Sequence, residues 1–224
     1  MRIFLDIGAH VGETVRGVLD PVYRYDRIIC FEPVKACCEQ LAHIEDPRVT
    51  ILPFGLWKET CERPVFGPRS LAASVFPYTS HLDTSTFEMC RFVLASEWFG
   101  ANMRKEDTVF LKLNCEGCEC DIVDDLLDSS EFDKVDFMMI DFDVRKIPSQ
   151  KHREKEVRSR LKKYPFPRVS FCKDVMIGPT HAARIQHWLR AVGADGSPVR
   201  PPRRLSWLSY WDRFGLRLSR KSYP

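Results

Sequence analysis

The feature that most constrains the fold is a segment at the start of the chain, residues 3–14. A run of apolar side chains there ends in Asp6, and two glycines, Gly8 and Gly12, follow. This pattern is typical of a buried strand that leads through a tight turn into a helix, because glycine lets the backbone bend sharply and approach a ligand closely. A chain that starts in this way is predicted to build a parallel α/β sheet with a ligand site at the turn.

A second apolar segment, residues 27–32, predicts the neighbouring strand and ends in an acidic residue. Glu32 stands at the tip of this strand, and Pro33 follows at what we expect to be the first position of a helix. A carboxylate at the end of the second strand is placed to accept hydrogen bonds from both ribose hydroxyls of a nucleoside. The glycine turn and Glu32 together predict a cofactor that contains a nucleoside.

The residues of the turn indicate which cofactor this is. Dinucleotide sites use Gly-x-Gly-x-x-Gly, in which bare backbone amides contact a pyrophosphate. The middle glycine is absent from Gly8-Ala9-His10-Val11-Gly12, and the carboxylate of Asp6 would repel a phosphate. S-adenosylmethionine carries no phosphate but has an ammonium and a sulfonium group, and both suit a nearby carboxylate. The sequence therefore predicts S-adenosylmethionine and disfavours a nicotinamide oxidoreductase.

Strand and helix signals alternate along the chain, which is the pattern of a doubly wound, mostly parallel Rossmann-like sheet. Predicted strands cover residues 2–7, 27–32, 48–53, 108–114 and 135–141, and predicted helices cover 12–19, 33–44, 118–127, 149–163 and 180–192. Residues 55–77 predict a β-rich excursion and loop, and residues 85–99 fit either a short helix or an added strand. Residues 168–172 and 175–177 are expected to close the sheet.

Three segments resemble the motifs of one enzyme family. Residues 108–123 resemble the signature "LKIDVEGAEYDVL" of FkbM-like methyltransferases, and the segments DIGAHVGET and CFEP resemble that family's first two motifs. The resemblance spans about residues 3–143. Members of this family are class I S-adenosylmethionine-dependent enzymes, mostly O-methyltransferases that act on sugars and other hydroxylated metabolites. The resemblance implies a sheet of the class I methyltransferase type and S-adenosylmethionine as cofactor.

One departure from the family concerns the catalytic base. Asn114 stands where the family has an aspartate, and an amide cannot act as a general base. Asp141 and Asp143, at and just beyond the end of the fifth predicted strand, are the candidates for a replacement. The alternative is that both are solvated acids at a strand end. The candidate catalytic residues are therefore Asn114, Asp141 and Asp143.

The predicted cofactor site collects residues from the glycine turn, the strand tips and the loops after them. They are Asp6, Gly8, Ala9, His10, Gly12, Glu13, Thr14, Glu32, Pro33, Gly55, Asn114 and Glu116. His10 either contacts the ligand or caps the turn. Lys112 lies inside an apolar strand, and a lysine is costly to bury alone. We expect it to form an ion pair with a carboxylate of the site rather than to point outward.

The cysteines indicate a reducing compartment rather than a metal site. The chain has nine, and they fall within predicted strands and helices. Residues 115–120 contain one Cys-x-x-Cys knuckle, whereas tetrahedral zinc sites pair two, so we expect no metal and treat these cysteines as core residues. No secretory leader is apparent and no segment approaches the ~20 apolar residues of a membrane span, so a cytoplasmic location is expected.

Charge divides the chain into an acidic part and a basic part. Residues 1–144 hold 14 Lys and Arg against 26 Asp and Glu, whereas residues 145–224 hold 20 against 5. The two parts either contact each other or the basic part binds a polyanion. We expect one domain over residues 1–195 and a basic, aromatic arm over residues 196–224. The arm should pack on the protein or in a homodimer because of its apolar side chains, which are Leu205, Trp207, Leu208, Tyr210, Trp211 and Phe214.

The sequence thus predicts an S-adenosylmethionine-dependent methyltransferase, with O-methylation of a saccharide or other hydroxylated metabolite implied by the family resemblance. A second hypothesis is a non-catalytic relative that retains cofactor binding, and Asn114 in place of the family's aspartate is the residue that indicates it. A third is a nucleic-acid-associated protein that uses the basic C-terminal third, because arginines bind phosphates and aromatic rings stack on bases. The acceptor itself is not specified by any motif.

Overall fold

The computed structural model describes residues 1–68, 70, 73–77 and 84–201. The strands within them are β1 Arg2–Ile7, β2 Arg27–Phe31, β3 Val49–Leu52, β4 Gly55–Trp57, β5 Cys61–Phe66, β6 Phe87–Leu94, β7 Thr108–Leu113, β8 Phe137–Ile140 and β9 Val169–Phe171. The α-helices are α1 Glu13–Val18, α2 Lys35–Leu41, α3 Ala95–Asn102, α4 Glu119–Asp128, α5 Arg153–Leu161, α6 Cys172–Val175 and α7 His181–Ala191. Short 3-10 helices cover Pro21–Tyr23, Glu131–Lys134 and Asp143–Lys146.

Six of these strands form the main sheet, in the order β3-β2-β1-β7-β8-β9. Every neighbouring pair in it is parallel. The strand order reverses direction between β1 and β7, and open α/β sheets bind ligands at the carboxyl ends of the strands beside such a reversal. The predicted doubly wound, mostly parallel Rossmann-like sheet is confirmed.

Both faces of the main sheet are buried, because alternate residues of a strand point to opposite sides. Along β1, Ile3 and Leu5 belong to a core cluster that includes Ile122 of α4. Phe4 points the other way and packs edge-on against Trp188 of α7, with the ring centres 6.2 Å apart. Two-sided burial explains why the strands read as continuous apolar runs rather than as an alternating pattern.

A second, three-stranded sheet has the order β4-β6-β5. Strand β5 runs antiparallel to β6, and β4 runs parallel to it. The described part of residues 55–77 is β-rich, as predicted. Residues 85–99 contain both of the expected alternatives, since strand β6 passes directly into helix α3.

The start of helix α2 and one predicted closing strand differ from the sequence prediction. Helix α2 begins at Lys35 rather than at Pro33, because Val34 is extended (φ −83°, ψ 123°) and donates its N–H to the Glu32 carboxylate instead of continuing a helix. Residues 175–177 do not form a closing strand. Helix α6 starts immediately after β9, and the Met176 N–H bonds to the Cys172 carbonyl, which turns the chain away from the sheet.

The acidic and basic parts of the chain contact each other within the domain. Arg153 of α5 pairs with Asp124 of α4 at 2.7 Å and also with Asp121, whose side chain is only 5% exposed. Arg160 bonds to Asp124 at 2.5 Å and to Asp128 as well. Helix α5 therefore uses part of the positive charge of the C-terminal third to bind the acidic face of α4.

The C-terminal arm cannot be compared with its prediction. Residues 202–224, which include every apolar arm residue named above, lie outside the described residues. The domain boundary after residue 195 and the packing of the arm stay predictions. In the part of the chain that the structure describes, no helix is long and apolar enough to cross a membrane.

The contact between α4 and α5 gives the first testable prediction. Arg153→Ala should lower the free energy of unfolding by about 2 kcal/mol, because it removes the closest cation from a buried carboxylate and leaves Asp121 with Lys58, 3.5 Å away. Urea denaturation measures the change. Lys155→Ala, which removes an exposed cation from the same helix, is the control and should change stability by less than about 0.5 kcal/mol. Equal stability of both variants would contradict the prediction.

Candidate functional site

A cavity of about 270 Å³ opens at the carboxyl ends of β1, β2 and β7, where the strand order reverses. Its wall includes Gly8 after β1, Glu32 after β2 and Asn114 after β7. Small-molecule sites typically enclose about 300–1,000 Å³ and combine apolar walls with a few polar groups. The position of this cavity and its combination of apolar wall and polar groups make it the candidate ligand site.

The turn after β1 packs against the turn after β7 without any space between them. Gly8 has φ +79°, and a Cβ atom there would lie 2.0 Å from the carbonyl oxygen of Asn114. Gly12 has φ +88° and faces Ile44, whose Cδ1 would lie 2.6 Å from an added Cβ. The glycines are therefore needed for contacts within the protein itself, and Gly12 does not reach the cavity.

The backbone amides of this turn are already bonded within the protein. Gly8 and Ala9 both donate their N–H to the Phe31 carbonyl, at 3.1 Å each. The His10 N–H bonds to Glu32 Oε2 at 2.8 Å, and the Gly12 N–H bonds to the Ala9 carbonyl at 2.9 Å. These four amides are therefore not available to a pyrophosphate, whose recognition at such a turn depends on them.

Glu32 is held at the cavity wall by two backbone amides. Its Oε1 accepts the N–H of Val34 at 2.9 Å, and its Oε2 accepts that of His10. Burial raises the pKa of Glu32, and the two amides offset part of this effect. Each carboxylate oxygen has more than one lone pair, so both can still accept a hydrogen bond from a ligand hydroxyl.

Asp6 is placed differently from the expectation. It is fully buried and does not line the cavity, because Lys112 lies between it and the ligand space. The Lys112 Nζ is 2.9 Å from Asp6 Oδ1 and donates to the Gly8 carbonyl at 2.7 Å. The predicted ion pair of Lys112 with a carboxylate is confirmed, and this pairing is the reason why Asp6 does not face the ligand.

The three candidate catalytic residues are also arranged differently from the expectation. Asn114 lines the cavity, but neither Asp141 nor Asp143 does. Asp143 is buried behind Asn114, whose Nδ2 donates to its Oδ2 at 2.8 Å. Asp141 bonds to Arg145 at 3.1 Å. A replacement base at either aspartate is therefore not supported, because one is enclosed and both are engaged by other side chains.

A different carboxylate reaches the cavity from the same end of the sheet. Glu116 lines the wall, with its Oε2 2.9 Å from Lys146 Nζ. Its backbone has φ 53°, and Gly117 beside it has φ 120°. The amides on either side, those of Cys115 and Gly117, donate to Glu119 Oε1 at 3.0 and 3.1 Å, so a buried carboxylate holds this loop together.

The other residues of the predicted cofactor site, Asp6 and Gly12 excepted, line the cavity: Ala9, His10, Glu13, Thr14, Pro33 and Gly55 join Gly8, Glu32, Asn114 and Glu116. Gly55 belongs to the second sheet, and a Cβ there would lie 2.5 Å from the ring of Phe92.

Burial opposes ionisation of Glu13, but its own backbone amide and His10, 3.2 Å away, lower its pKa overall.

His181 is a cavity residue that the sequence did not indicate. Its Nε2 lies 3.0 Å from the hydroxyl of Thr14, and burial together with the charge of Lys112 lowers its pKa. The two residues are 167 positions apart and meet because α7 packs closely on α1, where Gly17 faces Ala182. No local sequence pattern reports a contact of this kind.

Three of the nine cysteines contribute to the cavity wall. All nine are free thiols. Cys37, Cys115 and Cys118 line the cavity, and burial raises the pKa of Cys37 to about 12. Among the residues that the structure describes, no group of three or more His, Cys, Asp or Glu is arranged to hold a metal ion.

Comparison with known proteins adds little to this picture. No protein-family model matches the chain, and no curated protein is detectably similar to it in sequence. The solved structure of methyltransferase FkbM from Methylobacillus flagellatus is similar over 58% of this chain and 30% of its own, with 15% identity and a TM-score of 0.38. The chain thus spans less than a third of that protein, and membership of the FkbM-like family stays a hypothesis.

The contact between the two turns gives the second prediction. Gly8→Ala should lower the free energy of unfolding by about 3 kcal/mol, because a Cβ would overlap the Asn114 carbonyl in addition to the strain of a positive φ. Gly196→Ala is the matched control, since Gly196 has φ +85° with no atom within 4 Å of an added Cβ. It should cost only about 1 kcal/mol. Equal losses in thermal denaturation would show that no close approach exists at Gly8.

Proposed function

We propose that the chain is an S-adenosylmethionine-dependent methyltransferase. The observation that carries this proposal is the combination of the Glu32 carboxylate at the tip of β2 with a glycine turn whose amides are already bonded. The first feature suits the ribose hydroxyls of a nucleoside, and the second disfavours the pyrophosphate of a dinucleotide. A nucleoside cofactor without phosphates fits both.

The charges of the wall support a cationic ligand. Glu13, Glu32 and Glu116 line the cavity. Of the described lining residues, Lys112 is the one lysine or arginine, and it is paired with Asp6. An ammonium or sulfonium group gains favourable contacts with such a wall, whereas a phosphate is repelled. This balance of charge matches the cofactor predicted from the sequence.

The residues of the chain have distinct parts in the proposed reaction. Glu32 would bind the ribose, and the turns that carry Gly8 and Asn114 would position the amino-acid portion of the cofactor between β1 and β7. When bound, S-adenosylmethionine would supply an electrophilic methyl group, which a nucleophile attacks directly with the thioether as the leaving group. Holding the acceptor in line with that group provides much of the rate increase of such a displacement.

The acceptor class rests on the resemblance to FkbM-like enzymes. We propose O-methylation of a saccharide or another hydroxylated metabolite. A hydroxyl acceptor requires a group that removes its proton, and Asn114 cannot be that group. The second candidate is therefore a non-catalytic relative that binds the same cofactor. A nucleic-acid role for the basic part has less support, since Arg153 and Arg160 are engaged by α4.

Calorimetry tests the cofactor class directly. We expect S-adenosylmethionine and S-adenosylhomocysteine to bind the wild-type protein, and NAD to bind at least about 100-fold more weakly, because charged walls and bonded amides give its pyrophosphate no partners. Tighter binding of NAD than of S-adenosylhomocysteine would contradict the proposal.

Glu32→Ala should weaken S-adenosylhomocysteine binding by roughly 2 kcal/mol, about 30-fold, because charge-assisted hydrogen bonds to the ribose are lost. Glu32→Gln keeps one acceptor oxygen and should lose less. Glu39→Ala is the control, since Glu39 is an exposed residue of α2 whose contact with Lys35 is 4.0 Å long. Circular dichroism should show that all three variants are folded. Unchanged affinity of the folded Glu32→Ala variant would remove Glu32 from the site.

A further inference from the structure

We propose that Glu116 is the general base of this transferase, and that Asp143 and Lys146 hold its carboxylate in position from the outer side of the cavity. The inference rests on the proposed function, because it assigns a step of that reaction to one residue. It also departs from the assignment of Glu116 to cofactor binding and of the base to Asp141 or Asp143.

The first support is the arrangement of charged groups around Glu116. Lys146 Nζ lies 2.9 Å from Glu116 Oε2 and 2.9 Å from Asp143 Oδ1, so one ammonium group bridges two carboxylates. The bridge leaves Glu116 at the cavity wall and Asp143 behind it. The Glu116 side chain is 17% exposed, which is enough for contact with a bound molecule.

The second support is the backbone that carries this side chain. Glu116 has φ 53°, a conformation that costs a residue other than glycine about 1–3 kcal/mol and persists only where neighbouring contacts enforce it. Those contacts are present. Ser74 Oγ donates to the Glu116 carbonyl at 2.6 Å, and Glu119 binds the amides of Cys115 and Gly117. The loop is built to keep Glu116 in place.

The third support is the pKa of the Glu116 carboxyl group. Burial and then the charge of Asp143 raise the pKa of Glu116 to about 7, while Lys146 opposes the rise. Arg145, 3.8 Å from Asp143, reduces the effect of that aspartate and also pairs with Asp141. A base is most effective when its pKa lies near the working pH, so Glu116 is suited to accept a proton under neutral conditions.

Glu119 completes the set of ionisable groups around this loop. Burial and Asp143 raise its pKa to about 7, but its Oε1 is taken by two backbone amides, and it does not line the cavity. It cannot contact an acceptor. The thiols of Cys115 and Cys118 line the wall, and burial raises the pKa of Cys115, so that thiol stays neutral.

The other cavity groups are less suited to this task. Glu32 is bound by two amides, and Glu13 has a lowered pKa and pairs with His10. His181 interacts with the hydroxyl of Thr14, and its pKa is lowered by burial and by Lys112, which weakens it as a base. Glu116 therefore combines access to the cavity with an appropriate affinity for a proton.

In the proposed step, the O–H bond of the acceptor breaks, and its proton passes to a carboxylate oxygen of Glu116. The acceptor oxygen forms a bond to the methyl carbon, and the carbon–sulfur bond breaks with its electron pair remaining on sulfur. A sulfonium cation becomes a neutral thioether, and the carboxylate becomes a carboxylic acid that returns its proton to solvent.

The first test is a titration of the Glu116 side chain, which needs neither cofactor nor acceptor. Carbon-13 NMR of the glutamate carboxyl groups should show two resonances with a pKa of about 7, those of Glu116 and Glu119, and the one that is absent from Glu116→Gln belongs to Glu116. Lys146→Met removes the bridging cation and should raise this pKa, whereas Asp143→Asn removes a neighbouring negative charge and should lower it. Lys151→Met, which removes an exposed lysine of equal charge, should leave it unchanged.

The second test uses binding and transfer. Glu116→Gln should bind S-adenosylhomocysteine within about threefold of the wild type but should transfer labelled methyl groups to free glucose, galactose or glycerol about 100-fold more slowly. The wild-type rate should rise with pH as Glu116 loses its proton. Lys146→Met should move this rise to higher pH, and Asp143→Asn should move it to lower pH.

The outcomes separate this inference from the proposed function. Three results would overturn the role of Glu116 as the base. One is an ordinary pKa of Glu116 that does not shift in opposite directions in Lys146→Met and Asp143→Asn. The others are a transfer rate of Glu116→Gln equal to that of the wild type, and a tenfold loss of S-adenosylhomocysteine binding in that variant. A wild type that binds the cofactor but transfers to none of these probes would overturn it in favour of the non-catalytic relative. Failure of the wild type to bind the cofactor would overturn the proposed function, and the titration would still report on Glu116.

Discussion

The rest of the site depends on one buried ion pair, that between Asp6 and Lys112. The two residues face each other in the parallel register of β1 and β7, at the point where the strand order reverses. Neither charge could be buried alone at an acceptable cost, so each requires the other. Because Lys112 also donates to the Gly8 carbonyl, the pair fixes the turn after β1 against the end of β7. The position of the cavity follows from this contact.

The same pair determines which charges a ligand meets. Because Lys112 is paired with Asp6, the acidic side chains of the wall are those of Glu13, Glu32 and Glu116, and Glu116 has Lys146 beside it. The backbone amides of the turn likewise donate to the Phe31 carbonyl and the Glu32 carboxylate, so they are not available to a phosphate. The Asp6–Lys112 ion pair and these internal hydrogen bonds thereby support the proposal of a cationic, phosphate-free nucleoside as the ligand of this Rossmann-like crevice.

Local pattern was sufficient to predict the elements that frame the site. The strand before Asp6 and the strand before Glu32 are continuous apolar runs with abrupt polar ends, and such runs leave little choice of fold. What could not be predicted depends on tertiary contacts. His181 reaches Thr14 because α7 packs on α1, and Asp143 is enclosed because a 3-10 turn carries it under Asn114. The position of Asp143 near a strand end in the sequence indicated an exposed acid. The path of the chain in the structure shows that its carboxylate is buried instead.

The amide at position 114 is consistent with a base at position 116. Asn114 Nδ2 donates to Asp143, and a carboxylate in its place could not make this bond while both groups are ionised. It would instead add a like charge beside Asp143, which already raises the pKa of Glu116. With the amide present, Asp143 accepts its hydrogen bond behind the wall, pairs with Lys146 and acts on Glu116 through its charge. The amide that distinguishes this chain from the FkbM-like motif and the proposed role of Glu116 as base are thus compatible with one arrangement of neighbouring groups.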